Sequence, residues 1–392
     1  MDKSIARRRF GKTGIEVTEL SFGAMNLRRL DNFDEAYQIL NFVLDSGINL
    51  IDTARAYNGE NGQGELVESE VLVGNTIRER TDLTEPIVII TKGHGYTLEE
   101  LDKEVQISLD KLGVTGKGNL KIGDNDIKLV YLFHGINEDR WSTMRESGVL
   151  DRAQELKEEG LINYIGFSSH YAQKKEIIEA LDTDIFDVCE LPYNIFNREL
   201  GEDGKVDILK YAYEKDLGII NMKAFNGNGM VPIYTALRDV VSIDYTIMLN
   251  FCLSNPNIST VDAGARYVPE FQQDIETALG DRMGEKEITK YKDEADKVAP
   301  DMKGICRECM HCLEKFECAE GLDFPGILAT YSRYQISEKL GNDVEQFKEN
   351  YQEFELTADE CIECGACMPW CEYELNIPEM MKAAHKKLGS VG

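Results

Sequence analysis

Between residues 18 and 266 the chain repeats one theme, a short β-branched apolar run followed by a polar stretch with apolar residues at helical spacing. Eight such runs stand out: TELSFGAM (18–25), NLIDTA (49–54), PIVIITKG (86–93), IKLVYLFHG (127–135), INYIGFSSH (162–170), DVCELPYN (187–194), GIINMKAF (218–225) and ISTVDAGAR (258–266). Unbroken apolar runs suit strands buried on both faces, with the intervening helices covering the outer face of a parallel sheet. In FDEAYQILNFVLDSG, residues Phe33, Tyr37, Leu40 and Leu44 share one helical face and Gly47 stops the helix. Eight βα units in about 250 residues is the count of a closed barrel. The pattern therefore predicts an α/β fold, a (β/α)8 TIM barrel over residues 1–280. Ahead of the first strand, RRFGKTGIEV (8–17) predicts a β-hairpin that plugs the barrel bottom. VTGKGNLKIGDNDIK (114–128) reads as a surface loop inserted at the N-terminal ends of the strands.

Downstream the pattern changes. Residues 281–305 are strongly charged and predict a helical linker out of the barrel, and residues 306–392 carry eight of the ten cysteines. These fall in two groups: Cys306, Cys309, Cys312 and Cys318 (C-x2-C-x2-C-x5-C), then Cys361, Cys364, Cys367 and Cys371 (C-x2-C-x2-C-x3-C). Three thiolates at two-residue gaps let one loop wrap three corners of an iron–sulfur cube, the bacterial ferredoxin run, and in two-cluster ferredoxins the fourth cysteine of each run ligates the other cluster. The expected ligand sets are Cys306, Cys309 and Cys312 with Cys371, and Cys361, Cys364 and Cys367 with Cys318. Two [4Fe–4S] clusters would then close a small, mainly helical, ferredoxin-like domain. The pattern departs from the ferredoxin run in three places, with Glu372 instead of Pro after Cys371, five residues before Cys318, and 42 residues between the two runs. Two tetrahedral zinc sites are the competing reading. Trp370 and Met368, between the last two cysteines, are expected to shield a cluster, and Cys189 and Cys252 to be buried apolar residues.

Composition narrows the partners. A formal charge of −28, from 43 basic and 71 acidic residues, repels nucleic-acid phosphate and anionic membrane and suits a basic redox partner protein. No apolar run approaches the roughly 20 residues of a spanning helix, and the N-terminus lacks the apolar core of a secretory signal, so a cytoplasmic protein is expected.

In a barrel of this type the reactive mouth lies at the C-terminal strand ends. Asp52 ends the second strand with Tyr57 shortly after it, Lys92 ends the third and His134 the fourth. A tyrosine with an ordinary pKa near 10 needs a nearby cation to become acidic, and Lys92 held by Asp52 would supply one. His134 would then orient the substrate oxygen as a neutral imidazole.

With D-T-A-x-x-Y at 52–57, I-T-K at 90–92, L-F-H-G at 132–135 and G-F-S-S at 166–169, the sequence resembles the aldo-keto reductases over roughly residues 8–280. Its cysteine-bearing tail resembles the iron–sulfur-containing branch of that family. The resemblance implies Tyr57 as proton donor, Lys92 and Asp52 as the groups that tune it, and His134 as the group that places a small-molecule carbonyl or alcohol. It also implies an extended nicotinamide cofactor, with Ser168, Ser169 and Glu190 at the carboxamide and Gly264 and Arg266 at the adenosine phosphate. Ser169 stands where the family commonly has Asn, and Glu190 where it usually has Gln. Asp262, Glu270 and Asp274 near the phosphate stretch disfavour a 2′-phosphate, so NADH is expected over NADPH.

Hydride carries two electrons and iron–sulfur clusters pass one at a time, which leaves three arrangements. The clusters are structural or a docking module beside ordinary carbonyl reduction, a flavin occupies the mouth of a ferredoxin-linked reductase, or the clusters feed the substrate while Tyr57 supplies protons. An electron-transfer adaptor with a degenerate barrel is the alternative from another class.

Overall fold

A computed structural model describes residues 4–30, 32–61, 63–170, 175–198, 206–225, 242–302, 304–306, 312–313, 316–371 and 373–389. The chain divides into two compact units, Met1–Ala224 with Leu249–Met283, and Phe225–Met248 with Gly284–Gly392.

The first unit is built on fourteen short strands among the described residues. Eight of them, β3 (Leu20–Gly23), β4 (Leu50–Asp52), β7 (Ile87–Gly93), β10 (Asn125–Phe133), β11 (Tyr164–Ser168), β12 (Val188–Pro192), β13 (Gly218–Met222) and β14 (Thr260–Ala263), pair in parallel, and pairing of β14 with β3 closes the ring. Seven of the expected runs contain one of these strands, trimmed at the ends where the chain leaves the ladder, and β10 begins two residues before its expected run, at Asn125.

The barrel bottom is closed by β1 (Arg7–Arg9) and β2 (Glu16–Thr18), an antiparallel hairpin whose Phe10 and Val17 pack against Leu50, Val88, Ile90, Val130, Leu132, Val188 and Ile220. This is the expected plug. A Cβ on Gly218 would meet the Phe10 ring at 2.6 Å, so the strand there has no room for a side chain.

The 114–128 segment differs from the expected loop. β8 (Val114–Thr115) and β9 (Lys121–Ile122) form a small antiparallel hairpin, and β9 pairs with the start of β10. Leu120 and Ile122 are buried, so two apolar side chains amid the glycines anchor it. A further two-stranded ladder, β5 (Asn58–Glu60) with β6 (Leu66–Glu68), follows Tyr57.

In the second unit the described elements from Gly284 onward are helical, beginning with Glu285–Met302 inside the charged stretch. Helices Phe324–Leu340, Glu345–Gln352 and Ile377–Leu388 enclose a core of Phe324, Ile327, Leu328, Tyr351, Ile377 and Met381. No described helix is long and apolar enough to cross a membrane.

Candidate active site

The two-residue period of a strand explains how polar groups reach the mouth from an apolar barrel. Leu50, Ile90, Leu132 and Val188 belong to the interior cluster, and two positions further on the same faces carry Asp52, Lys92, His134 and Glu190. Each strand thus delivers an apolar side chain to the packed interior and a polar one to the rim above it.

The structure brings Asp52, Tyr57 and Lys92 together. Both Asp52 oxygens accept from Lys92 Nζ, Oδ1 at 2.5 Å, and the Thr53 carbonyl accepts a further bond at 3.3 Å. The Tyr57 hydroxyl lies 3.2 Å from the same nitrogen, which also sits 4.9 Å from the tyrosine ring centre. Asp52 and Lys92 are each 1% exposed, so this pair is shielded from solvent. The His134 ring stands edge-on to Tyr57 with centroids 6.0 Å apart and stacks on His94 at 4.7 Å. Its backbone is fixed by N–H donation to the Gly93 carbonyl at 2.9 Å, and its carbonyl accepts from Arg140 at 3.3 Å.

The electrostatics correct one expectation. Lys92 was expected to make Tyr57 acidic; instead the hydroxyl is held well above its ordinary range. Burial is the main cause and outweighs the pull of Lys92, with Asp52 and Glu190 adding to it. Tyr57 therefore keeps its proton at neutral pH. Burial pushes the Lys92 ammonium down, but Asp52, Glu190 and Tyr57 together raise it well above the usual lysine range, so it stays charged. Burial, then His94 and Lys92, push His134 well below the ordinary histidine range, which keeps its ring neutral as expected. Its Nδ1 is buried with no hydrogen-bond partner.

The sequence missed the carboxylate environment. Glu190 Oε2 lies 3.4 Å from Lys92 Nζ and accepts no hydrogen bond. Asp262, expected beside a cofactor phosphate, instead joins Asp52 and Glu190, with one oxygen of each within 4.8 Å of the others. Gly23 makes room for it, since a Cβ there would meet Asp262 Oδ2 at 2.5 Å. Burial, then Glu190, push the Asp262 carboxyl up to about 7. The strand period was the available signal, because Thr260 is buried and Asp262 stands two residues further along the same strand.

The remaining expected cofactor residues are placed less uniformly. Ser168 Oγ accepts from the Gly135 N–H at 2.9 Å, and Ser169 Oγ donates to the Ile136 carbonyl at 2.9 Å, so the second hydroxyl is already engaged. Gly264 and Arg266 are exposed beyond β14. Glu270 accepts from the Arg266 N–H at 2.8 Å, which puts a carboxylate at the start of helix Val268–Leu279. Asp274 is pushed up to about 7 by burial and then by Glu270.

Of the eight clustered cysteines, Cys309 lies outside the described residues. Cys306, Cys312, Cys318, Cys361, Cys367 and Cys371 are partly buried against the core of the second unit, and Cys364 is exposed. Cys367 is raised to about 11 by burial first, with Cys361, Cys364 and Cys318 contributing as neighbouring thiols. Glu363 and Gly365, on either side of Cys364, adopt left-handed backbone at φ 53° and 72°. That is uncommon for a glutamate and curls the loop tightly at the middle cysteine. Met368 and Trp370, expected beside a cluster, are 38% and 42% exposed. Cys189 and Cys252 are buried as expected.

Comparison with known proteins agrees with the barrel. The family model described as "Aldo/keto reductase family" matches residues 19–242. The chain is similar to the uncharacterized oxidoreductase YqkF of Bacillus subtilis (strain 168), 23% identical over 316 residues, covering 72% of this chain and 94% of that protein. It is also similar to a 6-dehydroglucose reductase of Novosphingobium aromaticivorans, 29% identical over 117 residues, or 28% of this chain and 38% of that one. Among solved structures, the holo form of aldo-keto reductase AKR11C1 from Bacillus halodurans has the same fold, with a TM-score of 0.59 and 21% identity over 74% of this chain and 96% of that chain. A closed eight-stranded barrel, and a family match that runs from its first strand to residue 242, carry the same conclusion: this chain is an oxidoreductase enzyme that belongs to the aldo/keto reductase family.

Proposed function

We propose that the barrel interconverts a small-molecule carbonyl and its alcohol, with Tyr57 as the proton donor in the reducing direction. The observation that carries this reading is the Tyr57 hydroxyl 3.2 Å from a buried ammonium, itself pinned by Asp52. Tyr57 holds its proton in the resting state. As negative charge develops on the substrate oxygen, Lys92 stabilises the phenolate left behind. The neutral His134 orients the same oxygen.

A nicotinamide would supply the hydride. The residues at its carboxamide fit: Glu190 Oε2, ion-paired with Lys92 but accepting no hydrogen bond, is an acceptor for an amide N–H, and the Ser168 hydroxyl, which accepts from Gly135, retains its own hydrogen to donate. Glu270 at the amide of Arg266 opposes a 2′-phosphate, which favours NADH over NADPH.

The eight cysteines of residues 306–392 are read as holders of two [4Fe–4S] clusters, in a ferredoxin-like domain joined to the barrel of residues 1–280 through 281–305. The electrostatic contact of Cys318 with Cys367 of the second run supports the proposed exchange of the fourth ligand between runs. Such clusters supply one-electron transfer, suit a reducing cytoplasm, and on so acidic a chain suit a basic redox partner.

The test is anaerobic purification followed by iron, sulfide and flavin analysis and by titration with NADH and NADPH. The reading expects about eight iron and eight sulfide per chain and carbonyl-dependent oxidation of NADH. Two zinc and no iron would overturn the tail assignment. Indifference to both nicotinamides would overturn the hydride source.

A further inference from the structure

Lys92 is one ammonium facing three carboxyl groups, and the arrangement is a path as well as a cluster. From the Tyr57 hydroxyl the groups run to Lys92 Nζ at 3.2 Å, to Glu190 Oε2 at 3.4 Å, and then to Asp262, whose oxygen lies within 4.8 Å of those of Glu190 and Asp52, a span short enough for one water to bridge. Asp52, Lys92 and Glu190 are buried, whereas Asp262 is partly exposed. The path therefore begins at a protected hydroxyl and ends at a group that meets solvent.

We propose that Asp262 is a proton store that recharges Tyr57 after each turnover, passing its proton through Glu190 and Lys92. The proposal rests on Tyr57 being the donor. In carbonyl reduction the hydride, with both electrons, comes from a dihydronicotinamide, which is oxidised to the nicotinamide, and forms the new C–H bond. The Tyr57 O–H breaks, its proton forms the alcohol O–H, and phenolate remains. Lys92 gives Tyr57 an Nζ proton and becomes a neutral amine. Glu190 hands it the Asp262 proton, and Asp262 takes a replacement from water at the mouth. Each proton lost is replaced, and no further oxidant or reductant enters.

The charged and polar surroundings suit a group that gains and loses a proton near neutral pH. Asp262 faces the Ser21 hydroxyl on β3 at 3.3 Å, Asp52 on β4, Lys92 on β7 and Glu190 on β12. Burial pushes the Asp52 carboxyl up as well, against the pull of Lys92, but Asp52 is buried with both oxygens bonded to Nζ, so the group that exchanges a proton with solvent is the partly exposed Asp262, whose carboxyl sits near 7. Tyr57 is faced by Lys92, Asp52, Glu190 and the edge of His134. Asp262 acts through other residues and is a positioning residue for the proton.

The test uses the full chain with NADH and methylglyoxal as the probe carbonyl, comparing wild type, Asp262→Asn and Asp262→Glu. In Asp262→Asn the first turnover keeps its rate, because Tyr57 starts protonated. Later turnovers slow at least about tenfold, and the near-neutral limb of the kcat–pH profile disappears. Asp262→Glu restores the limb. Infrared difference spectra of the resting protein between pH 6 and 8 read the store without turnover. Asp274 also sits near 7, so the comparison is made in an Asp274→Asn background: a protonated-carboxyl band remains in Asp274→Asn and is lost when Asp262→Asn is added to it. An unchanged pH limb, or a band that survives Asp262→Asn in the Asp274→Asn background, overturns the proposal while leaving Tyr57 as donor. Full turnover in Tyr57→Phe overturns the underlying reading instead.

Discussion

Lys92 Nζ stands 3.2 Å from the Tyr57 hydroxyl in a site from which solvent is excluded at the ammonium. That single contact ties the barrel's architecture to its chemistry, because Lys92 reaches it only as the next inward-facing position after Ile90. It also makes the lysine a structural element, since its charge offsets Asp52 and Glu190.

Lys92→Met removes that charge and leaves two buried carboxylates without their cation. Loss of one partner of a buried pair costs roughly 3–5 kcal/mol. Denaturant unfolding of Lys92→Met is expected to show a loss of that order. Lys92→Met combined with Asp52→Leu, which removes one stranded charge, recovers part of it. A loss below about 1 kcal/mol would mean the pair contributes little.

The pH dependence of stability follows from Asp262 and Asp274, both pushed up to about 7, against about 3.9 for a free aspartate. Between roughly pH 4 and 7 the folded chain holds protons that the unfolded chain has released, so stability is greatest at the acid end and falls as pH rises toward 7. Thermal melts should show this decline for the wild type, a shallower one for Asp274→Asn, and the shallowest for Asp262→Asn with Asp274→Asn. Equal slopes for all three would remove these two groups as its source.

How much of this was legible beforehand depends on which force set each feature. The barrel was readable because burial on both strand faces imposes long apolar runs, and the plugging hairpin because its glycines and Phe10 are local signals. The hairpin at 114–122 was read as a loop because its ladder has only two residues per strand, too few for an alternation to show. Asp52, Lys92 and His134 were found from their places at strand ends. Asp262 was misplaced because the strand period puts it on the inner face but does not say which groups stand across the barrel from it. The sign of the Tyr57 shift failed for the same reason: a nearby cation is visible in sequence, and the burial that outweighs it is not.

Gly218→Ala tests the plug. The added methyl would meet the Phe10 ring, and overpacking of this kind costs about 1–3 kcal/mol. Gly218→Ala combined with Phe10→Leu, which shortens the opposing side chain, should cost less than the sum of the two single changes. Strict additivity would show that the two positions do not share a packing site.

The pairing of cysteine runs is tested by Cys318→Ala and Cys306→Ala. Under the exchanged arrangement, Cys318→Ala weakens the cluster held by Cys361, Cys364 and Cys367, and Cys306→Ala the other. Each variant is expected to lose about half its iron, approximately four atoms per chain, with distinguishable remaining spectra. Identical residual spectra would contradict the assignment of Cys318 to the second run.

The most direct measurement is the rate of carbonyl reduction by Tyr57→Phe, taken with circular dichroism and iron content on the same sample. The phenyl ring keeps the packing against Lys92 and His134 and removes only the hydroxyl. The account predicts a fall of about 10²-fold to 10⁴-fold in turnover with fold and iron unchanged. Turnover within a fewfold of wild type would show that the proton comes from another group and contradict the assignment of Tyr57.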